Sequence, residues 1–463
     1  MRWAVAPFEH YMLADDTKRF SMTCHMRFWF RGYLDRSRFE AAMAETVPRH
    51  PLFQAILVGS AWQTTGRLAW IRDPAGRSPA VSWGDADQVI DPPEGGMRIA
   101  LDRSLGVRLW VRQSGGRCLL LVQFHHAVCD GAGLCGFIED LLAAYAGQRA
   151  RPLDQRLFDA RARFGVSRAE SWRRLRFDLA RTLQFFHCFP ARLAAPLYSK
   201  DPAIDPDVLA SVRKVLSPAI FATLRIVAHR AGATLNDLLL RDLFVSLSAW
   251  NTKLTGRSGT IRIGIATCMR QKDAAPMAAA NVVSMVFLDR SRRKIADGVN
   301  LLAGITAETR RIKERRLGMA MVRVLSLFGR ARWLMAGFLR LPLCQCTAVL
   351  TNLGRPFNGS LATAGLELEE MESLPPVREG TRAAFSVNYF GEQLSITMRF
   401  DSSAFGAKDA QAILDSFCDH LRRTAHAHGA FTIQGGENGQ GKAVVRRRAG
   451  AELGSSSDSV GGA

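Results

Sequence analysis

The sequence predicts an α/β protein with two domains, and three observations support that class. The chain has 463 residues, 48% of them hydrophobic, so it can bury a large core. Short apolar runs typical of strands alternate with longer segments whose apolar residues recur at helical spacing. A proline-containing stretch with weak periodicity separates two such regions. We therefore expect an N-terminal half at 1–150, a crossover at 151–205, a C-terminal half at 206–433 and a disordered tail at 434–463.

The elements of the N-terminal half follow from periodicity and turn residues. A first long helix is predicted over residues 36–49. Strands are expected at 53–58, 68–71, 109–111 and 117–124, the last two flanking the turn Ser114-Gly-Gly116. From residue 133 to 145 the apolar residues are spaced as on one face of a helix. A strand, a loop and a helix are thus expected in succession between 117 and 145.

The C-terminal half begins with two helix starts. Ser217 can cap a helix with Pro218 in its first turn, and Gly232 can end it. Thr234 and Asp237 have the spacing of a capping box, so we expect a structural role for this segment. Further strands are predicted at 261–268, 282–288, 347–353, 384–389 and 394–400, followed by an amphipathic helix over about 407–425.

The most informative residues lie on the loop between the strand 117–124 and the helix 133–145. They are His125-His126-Ala-Val-Cys-Asp130-Gly131. Loops of this kind are where α/β proteins place reactive groups, and histidine is the usual side chain for moving a proton near neutral pH. Asp130 can hold the loop or a neighbouring arginine, and Gly131 lets the backbone approach a ligand closely. The pattern predicts a catalytic loop rather than two buried structural histidines.

This loop resembles the His-His-x-x-x-Asp-Gly motif of the superfamily related to chloramphenicol acetyltransferase. That group includes nonribosomal peptide condensation domains, alcohol acyltransferases and wax ester synthase/diacylglycerol acyltransferases. Other segments are similar to the superfamily in the expected order over roughly residues 5 to 430. They are Gly32-Tyr-Leu-Asp-Arg-Ser-Arg-Phe-Glu-Ala-Ala-Met, Arg49-His-Pro-Leu-Phe53, Thr234-Leu-Asn-Asp237, Met269-Arg270, Asn281-Val-Val-Ser284 and Thr351-Asn-Leu-Gly354. Ala280 stands where the wax ester synthase branch has a glycine.

The resemblance implies a fold of two chloramphenicol acetyltransferase-like halves, each a mixed sheet flanked by helices, with the active-site channel between them. It implies an acyltransferase in which His126 is the general base, next to His125 and Gly131 on the same loop. Asp130 would face away from the channel and pair with a cation, for which Arg270 is the candidate. The oxyanion donor is left open among Asn281, Ser284 and a backbone N–H near Gly131.

The substrates are predicted only by class. The expected donor is a coenzyme A or carrier-protein thioester, so an acyl carrier protein is a candidate partner, and the expected acceptor is an alcohol or lipid-like hydroxyl. No metal and no permanently bound cofactor are implied. Amide formation with an amine acceptor, as in a stand-alone condensation enzyme, is the alternative. A non-catalytic binding protein that keeps the fold is a further alternative.

Charge and composition add one hypothesis about location. The formal net charge is +20, and 53 of the 62 basic residues are arginine, which suits an anionic partner or reflects codon usage. We expect no nucleic-acid partner. In the segment between Arg310 and Arg340, three arginines are spaced seven residues apart beside apolar residues; they are Arg316, Arg323 and Arg330. This spacing predicts an amphipathic helix that contacts a membrane or packs in the core.

Scattered cysteines and the lack of a signal peptide or a spanning segment predict a cytoplasmic protein.

Overall fold

The computed structural model describes most of the residues of the chain. They are 1–59, 68–85, 98–162, 185, 187–196, 210–271, 274–319, 321–322, 325, 332–339, 341, 343–357, 362–378 and 380–434. The predicted tail lies outside these residues except for Gln434, and so does much of the predicted crossover.

Helices and strands alternate along the described chain. The helices are α1 (Pro7–Asp15), α2 (Arg36–Thr46), α3 (Gly131–Tyr145), α4 (Gln155–Asp159), α5 (Pro218–Arg230), α6 (Leu235–Thr255), α7 (Arg292–Ala296), α8 (Gly298–Glu314), α9 (Arg332–Leu339) and α10 (Ala407–Gln434). The strands are β1 (Arg2–Ala4), β2 (Thr23–Arg31), β3 (Ala55–Val58), β4 (Ala69–Arg72), β5 (Val81–Asp85), β6 (Val107–Ser114), β7 (Arg117–His125), β8 (Ser211–Leu216), β9 (Ile261–Cys268), β10 (Val283–Arg290), β11 (Ala348–Gly354), β12 (Ala362–Thr363), β13 (Leu366–Leu374), β14 (Ala383–Phe390) and β15 (Gln393–Phe400).

Two six-stranded sheets organise the described part of the chain, and each is mixed. The first has the order β12-β13-β2-β7-β6-β5, with β5 parallel to β6 and the other pairs antiparallel. The second has the order β10-β9-β11-β14-β15-β8, with β11 parallel to both its neighbours. A small third sheet joins β1, β4 and β3. This arrangement confirms the predicted fold class of mixed sheets flanked by helices.

One strand extends the sheet of the other half. β13 lies within the range 206–433, yet it pairs antiparallel with β2 of the first sheet. Its sequence, Leu-Glu-Leu-Glu-Glu-Met-Glu-Ser-Leu, carries four glutamates and no β-branched residue, so propensity did not predict a strand. The pairing is favoured by cross-strand ion pairs, since Arg27 lies 2.8 Å from Glu372 and Arg31 lies 2.7 Å from Glu367. The two halves therefore share a sheet.

The hydrophobic cores join the halves in the same region. The first core is built around β2, β7 and α3, but it includes Met269, Val282 and Met335 from the C-terminal half. A buried ion pair also crosses the junction, where Arg378 donates to both oxygens of Asp15 at 2.6 and 2.8 Å. The halves are thus held together by apolar packing and by charge.

The prediction of one continuous arginine-striped helix between Arg310 and Arg340 is wrong. The helix α8 ends at Glu314, and Arg316 has a left-handed backbone with φ of 47° between helical segments. Arg316 is half-buried, and the side chains of Arg323 and Arg330 lie outside the described residues. In α9, which contacts α1, Met335 is 3% exposed and belongs to the first core. Burial in the first core thus accounts for Met335.

The local helix signals of the C-terminal half are confirmed. The Ser217 hydroxyl accepts a hydrogen bond from the Ile220 N–H, and α5 starts at Pro218. Thr234 and Asp237 form the reciprocal capping box at the start of α6. Within the described part of the chain, no helix is long and apolar enough to cross a membrane.

Candidate active site

The sequence places the two histidines at a strand end. The apolar run of β7 is buried in the middle of the first sheet, and His125 is its last residue, opposite Thr23 of β2. The chain then leaves the sheet and enters α3 at Gly131. The loop is held at its start because the His126 N–H donates to the Met22 carbonyl at 2.8 Å. The predicted strand–loop–helix arrangement is present.

His125 is tied to its surroundings on both sides of the ring. It is 1% exposed, and its Nδ1 accepts a hydrogen bond from the Ala127 N–H at 3.1 Å. Its Nε2 lies 3.8 Å from Asp16. Burial raises the pKa of Asp16, but the interactions with His125, the Met22 N–H and Arg98 outweigh this and leave that pKa below its ordinary value. These contacts orient the loop and occupy the ring of His125.

His126 is half-buried and faces the C-terminal half. Its carbonyl oxygen accepts a hydrogen bond from Asn281 Nδ2 at 2.6 Å, and the same Nδ2 lies 3.4 Å from His126 Nδ1. Burial lowers the pKa of His126 below its ordinary value of 6.5, although Asp130 and hydrogen-bonding main-chain groups of His126 and Cys129 act in the opposite direction. The imidazole is therefore neutral near pH 7, as a general base must be.

Asp130 caps α3 and links the halves. Its Oδ1 accepts from the Gly133 N–H at 2.7 Å, the ordinary N-cap contact. Its Oδ2 accepts from Arg270 and from the Val282 N–H, each at 2.7 Å. The predicted Asp130–Arg270 ion pair is present. Burial lowers the pKa of Arg270, but the charge of Asp130 and its hydrogen bond outweigh this and raise it. Both carboxylate oxygens are thus committed to protein groups.

The two side chains suggested as oxyanion donors have other partners. Ser284 is fully buried and donates its one hydroxyl proton to the Gly318 carbonyl at 2.6 Å, so it cannot donate to an oxyanion at the same time. Asn281 is also fully buried and holds the His126 carbonyl. Of the open candidates for the oxyanion donor, Ser284 is therefore engaged with Gly318, and Asn281 contacts the loop itself.

The glycines of the loop are close to the C-terminal half. A Cβ atom at Gly131 would meet the Leu353 side chain at 2.8 Å, so Leu353 packs closely against this glycine. A Cβ at Gly133 would meet the Ala280 carbonyl oxygen at 2.9 Å. No role of Gly133 was predicted from the sequence, although the position of this glycine in the first turn of the helix is a usable signal for close packing.

A pocket of about 260 Å³ lies next to the loop, on the Arg270 side. Both halves contribute to it, through Ala132 and Glu139 on one side and Met269, Arg270 and Met277 on the other. His126 is not among its described lining residues. Within the described part of the chain, no group of three histidine, cysteine or acidic side chains is placed to hold a metal ion.

Comparison with known proteins supports the fold through solved structures, but it finds no matching sequence family. No protein-family model matches the chain, and no curated protein matches it. Among solved structures, the condensation domain of the monacolin K polyketide synthase MokA aligns with a TM-score of 0.67 at 16% identity, over 92% of this chain and 98% of that chain. The chain has the condensation-domain fold. The fold that the sequence resemblance implied is thereby confirmed.

Two further structures share this fold. The first condensation domain of the calcium-dependent antibiotic synthetase, in complex with a substrate analogue, aligns with a TM-score of 0.65 at 16% identity, over 92% of this chain and 96% of that one. The epimerization domain from the third module of tyrocidine synthetase B aligns with a TM-score of 0.66 at 16% identity, over 93% and 98%. Because domains of different names share the fold, function must be argued from the site.

Proposed function

We propose that this protein is an acyltransferase that moves an acyl group from a thioester to a hydroxyl acceptor, with His126 as general base. The observation that supports this most is the half-buried, neutral imidazole of His126 on a loop held from both halves. Such a base is worth about a hundred- to ten-thousand-fold in rate. Holding donor and acceptor in line would supply much of the remaining acceleration.

The proposed reaction has two steps. His126 Nε2 removes the proton of the acceptor hydroxyl while its oxygen attacks the thioester carbonyl carbon. The tetrahedral intermediate then expels the thiolate, which takes the proton back from the imidazolium, so an ester and a free thiol are formed. In this proposal Nδ1 holds the ring proton and Nε2 is left for the substrate. Asn281 Nδ2 is itself a donor and donates to the His126 carbonyl, so it is not the partner of the Nδ1 proton.

Asp130 acts on the loop and not on the substrate in this proposal. Its two oxygens are used by Gly133, Arg270 and Val282, and the residue is 4% exposed. The negative charge of the intermediate then needs another donor. The first main-chain N–H groups of α3, at Gly131 and Ala132, have no partner within the helix and begin directly after Asp130.

The donor and acceptor classes are tested by the same assay. We propose a coenzyme A or carrier-protein thioester as donor and an alcohol or lipid-like molecule as acceptor. An amine acceptor is the second candidate, favoured by the alignment with structures named as condensation domains. Thiol release from acyl-coenzyme A and from acyl carrier protein would be measured with alcohols and with amines, and the products identified by mass spectrometry.

The outcome of this assay decides between the alternatives. Acceptor-dependent thiol release that is lost in His126→Ala supports the base mechanism. Equal release by wild type and His126→Ala contradicts it. Absence of transfer with every donor, together with tight binding of one thioester, would support the non-catalytic binding protein instead.

A further inference from the structure

Another buried histidine, His50, contacts the C-terminal half beside the candidate active site. It follows α2 and is 1% exposed. Its Nδ1 accepts a hydrogen bond from the Ala279 N–H at 2.9 Å. A ring nitrogen that accepts has no proton, so the proton of the neutral ring is on Nε2. That nitrogen lies 3.2 Å from Asp140 Oδ2.

The ring of His50 is fixed by charge and by aromatic packing. Asp140 belongs to α3, the helix that begins at the candidate catalytic loop, and it lies 2.6 Å from Arg151. Arg49 lies 3.8 Å from the same carboxylate. The rings of Phe53 and Phe137 flank the imidazole at centroid distances of 5.8 and 5.1 Å. The imidazole is therefore presented to Ala279 in one orientation.

The segment that His50 holds is the one that supports the loop of His126. Residues 279–282, here called the support segment, are buried and contain no helix or strand. Asn281 donates to the His126 carbonyl, and the Val282 N–H donates to Asp130. The Ala280 carbonyl accepts from the Asp130 N–H at 3.3 Å. The conformation of this segment thus depends on contacts with the N-terminal half.

We propose that His50 is a positioning residue that holds the support segment against the N-terminal half and thereby sets the position of His126. This inference rests on the proposed function for its effect on catalysis, but the contact with Ala279 can be tested without turnover. His50 is separated from the chemistry by Ala279 and Asn281, so it does not touch the reacting atoms.

The contact requires neutral His50. A protonated imidazole has no acceptor nitrogen, so protonation breaks the hydrogen bond from Ala279. The charged groups that face the ring are Asp140 on α3, which favours the proton, and Arg49 and Arg151, which oppose it. The acid limb of the rate profile then contains two protonations, one at His126 and one at His50.

Two substitutions of His50 separate its acceptor role from its bulk. His50→Leu fills space but cannot accept a hydrogen bond, whereas the Oδ1 of His50→Asn can replace Nδ1 as acceptor for Ala279. Phe39→Leu is the matched control, because Phe39 is fully buried on α2 and packs against Trp83 instead. All three variants are expected to lose stability, but only His50→Leu should free the support segment.

Amide hydrogen exchange of peptides covering 279–282 tests the contact in the full chain. We expect exchange at Ala279 about tenfold faster in His50→Leu, and wild-type exchange in His50→Asn and Phe39→Leu. In turnover assays kcat of His50→Leu should fall about 10- to 100-fold with KM little changed, because misplacement of a catalytic group affects the chemical step. His50→Asn should recover most of kcat. The limiting slope of the logarithm of the rate against pH, on the acid side, should be about two in the wild type and about one in His50→Asn.

The two proposals fail in different ways. Unchanged exchange of the support segment in His50→Leu would overturn the positioning role whatever the activity. Freed exchange with an unchanged kcat would overturn the link to His126. An inactive wild type with freed exchange in His50→Leu would reject the proposed function while leaving the structural contact established.

Discussion

Removing the Asp130 carboxylate tests how much the loop depends on its link to the C-terminal half. The side chains of Asp130 and Arg270 are 6% and 20% exposed, so the ion pair is largely shielded from water. Asp130→Ala leaves Arg270 without its anion and also removes the acceptor for the Gly133 and Val282 N–H groups. We expect a loss of about 3–5 kcal/mol in the free energy of unfolding.

Substitution of the partner, Arg270, should lower the free energy of unfolding by less. In Arg270→Met the carboxylate of Asp130 keeps its two main-chain donors, so we expect a loss of about 1.5–3 kcal/mol. In the double variant no charge is left unpaired, and the total should be smaller than the sum of the single losses by about 2 kcal/mol. Both single variants should also lose acyl-transfer activity, because the loop that bears His126 is no longer held.

Urea unfolding of the four proteins, followed by fluorescence, gives the coupling energy. The exposed pair Arg36–Glu40, whose side chains are 67% and 50% exposed, is the control cycle and should give about 0.3–0.5 kcal/mol. A coupling energy for Asp130 and Arg270 as small as this control would refute the argument that the buried pair holds the loop.

The remaining predictions concern the loop and its packing. His126→Ala should lose about a hundred- to ten-thousand-fold in kcat/KM with little change in stability, whereas His125→Ala should lose more stability than chemistry in the same assays. Because burial lowers the pKa of His126, the acid-side fall of kcat/KM should be centred below pH 6.5; a fall centred above pH 6.5 would contradict this. Gly133→Ala, whose Cβ would lie 2.9 Å from the Ala280 oxygen, should lose about 1–3 kcal/mol in urea unfolding. Gly304→Ala in α8, with nothing within 4 Å, should gain about 0.5–1 kcal/mol in the same measurement.

Several features of the fold were predictable because their causes are local. The caps at Ser217 and Thr234 depend on side chains within three residues of the helix start. The strand β7 and the helix α3 follow from apolar spacing within each segment. The loop with His126 and Asp130 was located for the same reason.

Other features were missed or mistaken because they depend on distant partners. β13 is acidic and lacks β-branched residues, and its arginine partners on β2 lie more than three hundred residues earlier in the chain. The stripe at Arg316, Arg323 and Arg330 assumed one helix, but the chain turns at Arg316. His50 was given no role from the sequence, since its partners Asp140 and Ala279 are remote in the chain.

The fold class, the loop between β7 and α3 and the pairing of Asp130 with Arg270 could be predicted from the sequence, in the last case through a family resemblance. Periodicity, capping and short motifs depend on residues that are close in the chain, so they can be recognised without knowing which segments pack together. Only contacts between distant segments show that Ser284 donates its proton to the Gly318 carbonyl and that Asn281 donates to the His126 carbonyl. A buried donor takes the acceptor that packing brings within reach, and that choice is made between segments, not within one.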